Sequence, residues 1–186
     1  MSTSAPHLTL EELNAGLDEI RRSPQDAGVL QLIVRRPQVD EREVLQEGFL
    51  DLVEGLAGDS WGTRGSSRTR SGSPHPDMQL NIMNARAIAL VAQSKDRWPL
   101  AGDQLYVDLD LSETNVPPGT RLALGSAVVE ITDEPHTGCG KFAARFGFDS
   151  VKFVNSPAGR ALRLRGVNAK VVQPGVTRVG DIVRKA

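Results

Sequence analysis

The sequence predicts a mainly β protein, a barrel or a sandwich, with a few helices at its periphery. From Gly102 onward, short β-branched runs alternate with Pro-Pro-Gly, Gly-Ser, Pro-Gly and Val-Gly-Asp turn signals. No G-x-G-x-x-G and no G-x-x-x-x-G-K-[ST] occurs, so a doubly wound nucleotide-binding sheet has no local support. A length of 186 residues, 39% of them hydrophobic, suffices for one well-filled core.

Leu10, Leu13, Leu17 and Ile20 line one helix face; Thr9 with Glu12 forms a capping-box pattern, and Ser23-Pro24 stops the helix. Residues 1–28 thus read as an N-terminal helical extension and 29–186 as the β domain. Val29 to Val34 reads as a strand, ended by Arg35-Arg36-Pro37. Between residues 41 and 59, Leu45, Phe49, Leu52, Val53 and Leu56 suit a helix, with Gly48 against it. Residues 60–76 have the composition of a long loop. Met78 to Ile82 alternates as a strand, and Asn84 caps the helical run ARAIALVAQ. QLYVDLDL, TRLALG, SAVVEIT, LRLRGVNAKVV and DIVRK follow as strands, the fourth placing Arg163 and Arg165 on one face.

Composition excludes several classes. A net charge of -1, from 22 Lys+Arg and 23 Asp+Glu, argues against a nucleic-acid binder. One cysteine makes no internal disulfide, and no apolar run approaches the ~20 residues that span a bilayer. MSTSAPHLTLEEL lacks a signal-peptide pattern. The expectation is a cytoplasmic protein with neither membrane nor nucleic acid as partner.

The cysteine itself lies in a turn, Glu134-Pro135-His136-Thr137-Gly138-Cys139-Gly140-Lys141. Glycine flanks allow close backbone approach and free N–H groups, Thr137 adds a hydroxyl, and His136 and Lys141 offer charge to activate a thiolate. An inert loop thiol is the competing reading. One Cys and three scattered His lack the paired spacing of structural zinc, and no G-x-S-x-G elbow marks a hydrolase. A second cluster is Arg64, Arg68 and Arg70 with Ser66 and Ser67. Residues 60–76 hold no carboxylate, so the cluster suits phosphate or another oxyanion, against the plainer reading of a solvated loop.

Four stretches resemble the MOSC domain, named for the C-terminal domain of molybdenum-cofactor sulfurases. They are Gly55-Leu56-Ala57-Gly58-Asp59; Glu130-Ile131-Thr132 leading to Cys139; Cys139 through Gly147, CGKFAARFG, as in stand-alone bacterial members; and Val171 to Val176 with Val179-Gly180-Asp181. The resemblance runs from about Gln31 to Arg184. It implies a closed or partly open β-barrel like that of pyruvate kinase. It implies that Cys139 ligates molybdenum in the pterin cofactor (molybdopterin) or carries sulfur, in a reductase of N-hydroxylated compounds or a sulfur-transfer protein. A separate redox or sulfur-donor protein is then implied as partner, and no pyridoxal-phosphate site. Many members place an arginine and then Pro-Cys at the reactive position. Here His136-Thr137-Gly138-Cys139 stands, which leaves the anion contact to His136 or to the 64–70 loop. The alternative is a non-catalytic barrel binding an oxyanion or other small ligand, its cysteine incidental.

Overall fold

The computed structural model describes residues 6–186. Residues 1–5, part of the expected N-terminal extension, lie outside the described residues. The eleven described strands are β1 (Gly28–Arg35), β2 (Glu43–Leu45), β3 (Glu47–Asp51), β4 (Gly55–Leu56), β5 (Leu80–Asn84), β6 (Leu105–Asp108), β7 (Arg121–Leu124), β8 (Ala127–Ile131), β9 (Val167–Gln173), β10 (Gly175–Arg178) and β11 (Ile182–Lys185). The helices are α1 (Leu10–Ala15), α2 (Leu17–Arg21), α3 (Ala85–Ala92), α4 (Gly140–Phe146), α5 (Phe148–Asn155) and α6 (Pro157–Ala161).

Seven strands close into a barrel in the order β11-β7-β8-β9-β5-β6-β1, with β1 pairing back onto β11. β2 hangs on β1, and β10-β3-β4 form a small second sheet. The pairing of β5 with β6 is parallel and needs a crossover, which α3 begins. Closure removes the free edges that an open sheet would expose.

Side-chain alternation separates two cores. Leu30, Ile33, Ile82, Leu105, Val107 and Val129 belong to the barrel interior. Leu32, Val34, Met83 and Tyr106 face outward into a second core with Leu13, Ile20, Ile88, Trp98, Phe142, Phe146 and Phe153. β1 is therefore covered on both faces, which explains its run VLQLIV, apolar but for Gln31. A bulge between Leu30 and Leu32 lets both Leu30 and Ile33 point inward.

The Thr9–Glu12 capping box forms, with Glu12 Oε2 accepting from the Thr9 N–H at 2.7 Å. Asn84 caps α3 as expected, its Oδ1 accepting from the Ala87 N–H at 2.9 Å. The first helix differs from the expectation in being split at Gly16. A Cβ there would lie 2.5 Å from Leu90 Cδ2, so a larger residue would force the Leu90 side chain on α3 to shift. Residues 43–56, whose apolar spacing suits a helix, form strands instead. β3 pairs with β10, from Gly175↔Leu50 to Arg178↔Glu47, and buries Gly48 and Leu50 while Phe49 faces out. That partner lies far away in sequence and overrides the local periodicity. Residues 162–166 are not strand: Arg163 has φ +51 and Gly166 φ +115, so Arg163 and Arg165 do not share a strand face. Residues 140–161 form three short helices separated by Gly147 and Ser156, where the sequence predicts none.

One buried ion pair ties β1 to the Gly55–Asp59 turn. Arg36 donates to Asp59 through Nε (3.0 Å), Nη2 (2.7 Å) and its backbone N–H (2.8 Å). The two side chains are 8% and 0% exposed. Burial pushes the Asp59 carboxyl up, but the hydrogen bonds and charge of Arg36 and the N–H of Trp61 bring it below its ordinary 3.8. Asp59→Ala strands a buried guanidinium, and urea unfolding should show a loss of about 3–5 kcal/mol. Because Asp59 titrates lower in the folded chain, its contribution is complete above pH 3.8 and is lost as pH falls through the lower folded value. Acid unfolding of wild type should therefore steepen below that pH, and Asp59→Asn should remove the extra slope.

Candidate functional site

The loop after β8 is fixed before it reaches the cysteine. Asn168 Nδ2 donates to the Glu134 carbonyl at 3.0 Å, and the Thr132 N–H donates to the Asn168 carbonyl at 3.0 Å. Asn155, at the end of α5, then grips Gly138 from both sides. Its Oδ1 accepts from the Gly138 N–H at 3.0 Å, and its Nδ2 donates to the Gly138 carbonyl at 3.2 Å. A Cβ on Gly138 would sit 2.8 Å from Val154 Cγ2, so glycine is required for this close approach. Cys139 follows as the residue preceding α4 and is exposed. α4 is anchored from below by Phe142 and Phe146, 2% and 1% exposed, with ring centroids 5.0 Å apart.

Cys139 opens onto a cavity of about 230 Å³. Its walls carry six cations, Arg36, Arg42, Arg64, Lys141, Arg145 and Arg165, and a single carboxylate, Asp40. Three of the cations have partners. Arg36 is held by Asp59, Arg165 by Asp103 at 2.6 Å, and Arg145 reaches Asp40 at 3.5 Å. Among the described residues, Arg42 hydrogen-bonds only to carbonyls, those of Pro99 (3.0 Å) and Glu41 (2.8 Å). Burial lowers the Arg42 pKa, and the charges of Arg145 and Arg36 push the same way; burial and Arg36 do likewise to Arg64. Gly102, at φ +89, leaves room beside them: a Cβ would meet Arg42 Nη2 at 3.5 Å and Arg145 Nη1 at 3.7 Å.

The thiol responds to this setting. Burial pushes the Cys139 pKa up, but the backbone N–H groups of Phe142 and Lys141 and the charges of Arg165 and Arg145 outweigh it and hold the group below the usual thiol value. No formed hydrogen bond caps α4 through the sulfur, so these N–H groups act at longer range.

Of the residues singled out in the sequence, Cys139, Lys141 and Arg64 meet in this cavity. His136 and Thr137 border a second cavity of about 240 Å³ behind it. Burial, with Arg165, Arg36 and Arg68 nearby, holds the His136 pKa far below 6.5, so the ring is neutral and lends the thiol no charge. Ser66 borders a third cavity, which shares Arg36, Arg64 and Asn81 with the first. Arg68 finds the carboxylate that its own segment lacks, Glu134, at 3.0 Å. Ser67 and Arg70 are exposed and line none of the three. Sequence reasoning missed Arg36, Arg42, Arg145 and Arg165. They are brought in by the end of β1, the turn after it, α4 and the turn before β9; the sequence marks Arg36 only as a strand end, and Arg165 only as one of a basic row with Arg163 on a strand face.

A closed β-barrel with one exposed thiol on the rim of a cation-lined cavity is the class of protein that the structure defines. The MOSC domain family model matches residues 69–184, and the chain belongs to that family. Solved structures share the fold at low identity. The YuaD protein from Bacillus subtilis has a TM-score of 0.59 at 16% identity, covering 84% of this chain and 93% of that one. A hypothetical protein has 0.57 at 17%, covering 87% and 68%. YiiM from Escherichia coli has 0.53 at 18%, covering 85% and 69%. No curated protein matches the sequence. Among the described residues, no helix is long and apolar enough to cross a membrane.

The Cys139 thiol should react with iodoacetamide near pH 7 faster than free cysteine, because more of it is thiolate. Asn155→Ala, which releases Gly138, should slow that reaction several-fold. Cys139→Ser should change stability by less than about 0.5 kcal/mol, since the side chain is exposed and packs against little.

Proposed function

We propose that this MOSC domain protein binds the molybdenum cofactor or carries sulfur through Cys139, as a reductase of N-hydroxylated compounds or a sulfur-transfer protein. The observation that carries the reading is an exposed thiol, tuned toward thiolate, in a cavity with more cations than carboxylates. The residues fit such a group. Among the described residues, no cluster of three or more His, Cys, Asp or Glu could hold a bare metal ion. A metal here must arrive with most of its ligands, and the pterin dithiolene brings sulfur of its own.

Cys139 would supply one soft thiolate ligand. Arg42, Arg64 and Lys141 would hold the anionic parts of the cofactor, and Gly102 leaves the space for them. When bound, the cofactor would supply redox chemistry or a transferable sulfur. The chain's own residues bind, orient and shield it. Electrons or sulfur would come from a separate protein, and the single free thiol suits a reducing, cytoplasmic setting. An anion-binding barrel with an incidental cysteine is the second reading, favoured by the same excess of cations.

Elemental analysis of protein from a molybdenum-replete host separates the two. About one molybdenum per chain is expected, lost in Cys139→Ser and reduced at least about tenfold in occupancy in an Arg42→Gln/Arg64→Gln double variant. Anion binding without molybdenum under any condition, and unaffected by Cys139→Ser, supports the second reading.

A further inference from the structure

Behind the Cys139 cavity lies a buried polar group that the proposed function does not use. Asp103, fully buried, begins the segment leading into β6, and Arg165, 8% exposed, occupies the turn before β9. Arg165 Nη1 donates to Asp103 Oδ2 at 2.6 Å and Nη2 donates to the Ala101 carbonyl at 2.9 Å. The guanidinium lies 4.9 Å from the centroid of the Phe142 ring, on the helix that Cys139 precedes. Arg165 is the one charged side chain that borders both the Cys139 cavity and the second cavity.

The other carboxylate oxygen, Asp103 Oδ1, is sealed from solvent without a hydrogen-bond partner, and so is His136 Nδ1. The two face each other at 3.6 Å. Gly166 keeps them close, since a Cβ at this φ +115 position would come within 3.2 Å of both atoms. Two sealed polar atoms with no other partner each carry a desolvation cost. A proton on His136 Nδ1 answers both with a small closing movement, and it turns the unprotonated Nε2 away from Asp103. Burial raises the Asp103 pKa above its ordinary value, while the charge and hydrogen bond of Arg165 and the charges of Arg36 and Arg42 pull the other way. The bond donated by the always-charged Arg165 guanidinium favours the carboxylate form.

We propose that Asp103 is a positioning residue for the Cys139 cavity: one sealed carboxylate holds Arg165 in the wall shared by both cavities and fixes His136 as its Nδ1–H form. This rests on the reading that the Cys139 cavity is the functional site, yet its test needs no cofactor.

The ratio of Cys139 alkylation rates with iodoacetate and with iodoacetamide reports the local positive potential, because the reagents differ in charge. Asp103→Asn deletes a negative charge, so simple electrostatics makes the ratio rise. Loss of positioning makes it fall, by about threefold or more, toward the value of Arg165→Gln, as the guanidinium leaves the sulfur. A ratio that rises or stays level in Asp103→Asn overturns the proposal. Should that variant fail to fold, nitrogen NMR of histidine-labelled wild type still decides. The expected signature at neutral pH is a protonated Nδ1 and a bare Nε2 for His136, and the opposite tautomer overturns the proposal. Neither readout depends on molybdenum uptake, so the two readings fail independently.

Discussion

Two buried arginine–aspartate pairs carry the architecture of the site. Arg36 with Asp59 and Arg165 with Asp103 lie at one end of the barrel, each guanidinium in the wall of the same cavity. Taking such charges out of water costs several kcal/mol per ion, which the short carboxylate bonds and added carbonyl contacts offset in part; Arg165 Nε and Asp103 Oδ1 stay buried without a hydrogen-bond partner. The Gly102 and Ala101 carbonyls supply those contacts, at 2.9 Å to Arg36 and 2.9 Å to Arg165. The same backbone segment therefore receives both arginines, and β6 begins immediately after it. The barrel fixes the segment, and the segment fixes the charges.

Placing charge in this way divides the labour between paired and unpaired cations. Arg36 and Arg165 are held by their partners as scaffold, and Arg165 still lends charge to the thiol. Among the described residues Arg42 and Arg64 have no carboxylate partner, and burial, with the charge of Arg36 nearby, lowers the pKa of both. The thiol sits where the two groups meet, on a loop that Asn155 clamps as a strand neighbour would, through one donor and one acceptor. An amide side chain here replaces a sheet edge.

What the sequence made legible follows from the range of each signal. Thr9 with Glu12 and Asn84 with Ala87 act over three residues, so the caps could be read directly. The barrel strands from β6 onward announced themselves through turns. Cys139, between two glycines, stood out from core filling, and it lies exposed at the wall of the cation-lined cavity. Residues 43–56 misled because β3, the central strand among them, pairs with β10, more than a hundred residues away. The α4 to α6 stretch was missed although Phe142 and Phe146 have helical spacing and Ser156-Pro157 is a helix-start pattern. The four arginines that complete the cavity could not be found locally, since long-range topology alone brings residues 36, 42, 145 and 165 together.

The cation surplus has a thermodynamic consequence. Like charges crowded around a half-sheltered hollow repel, and the folded chain carries that repulsion whenever no anion screens it. Any anion that binds the folded form alone draws the folding equilibrium toward itself, by about 2.7 kcal/mol at a concentration a hundredfold above its Kd. The melting point is thus partly a property of the buffer: phosphate or sulfate and a bulky, weakly coordinating counter-ion would assign this one chain two different stabilities.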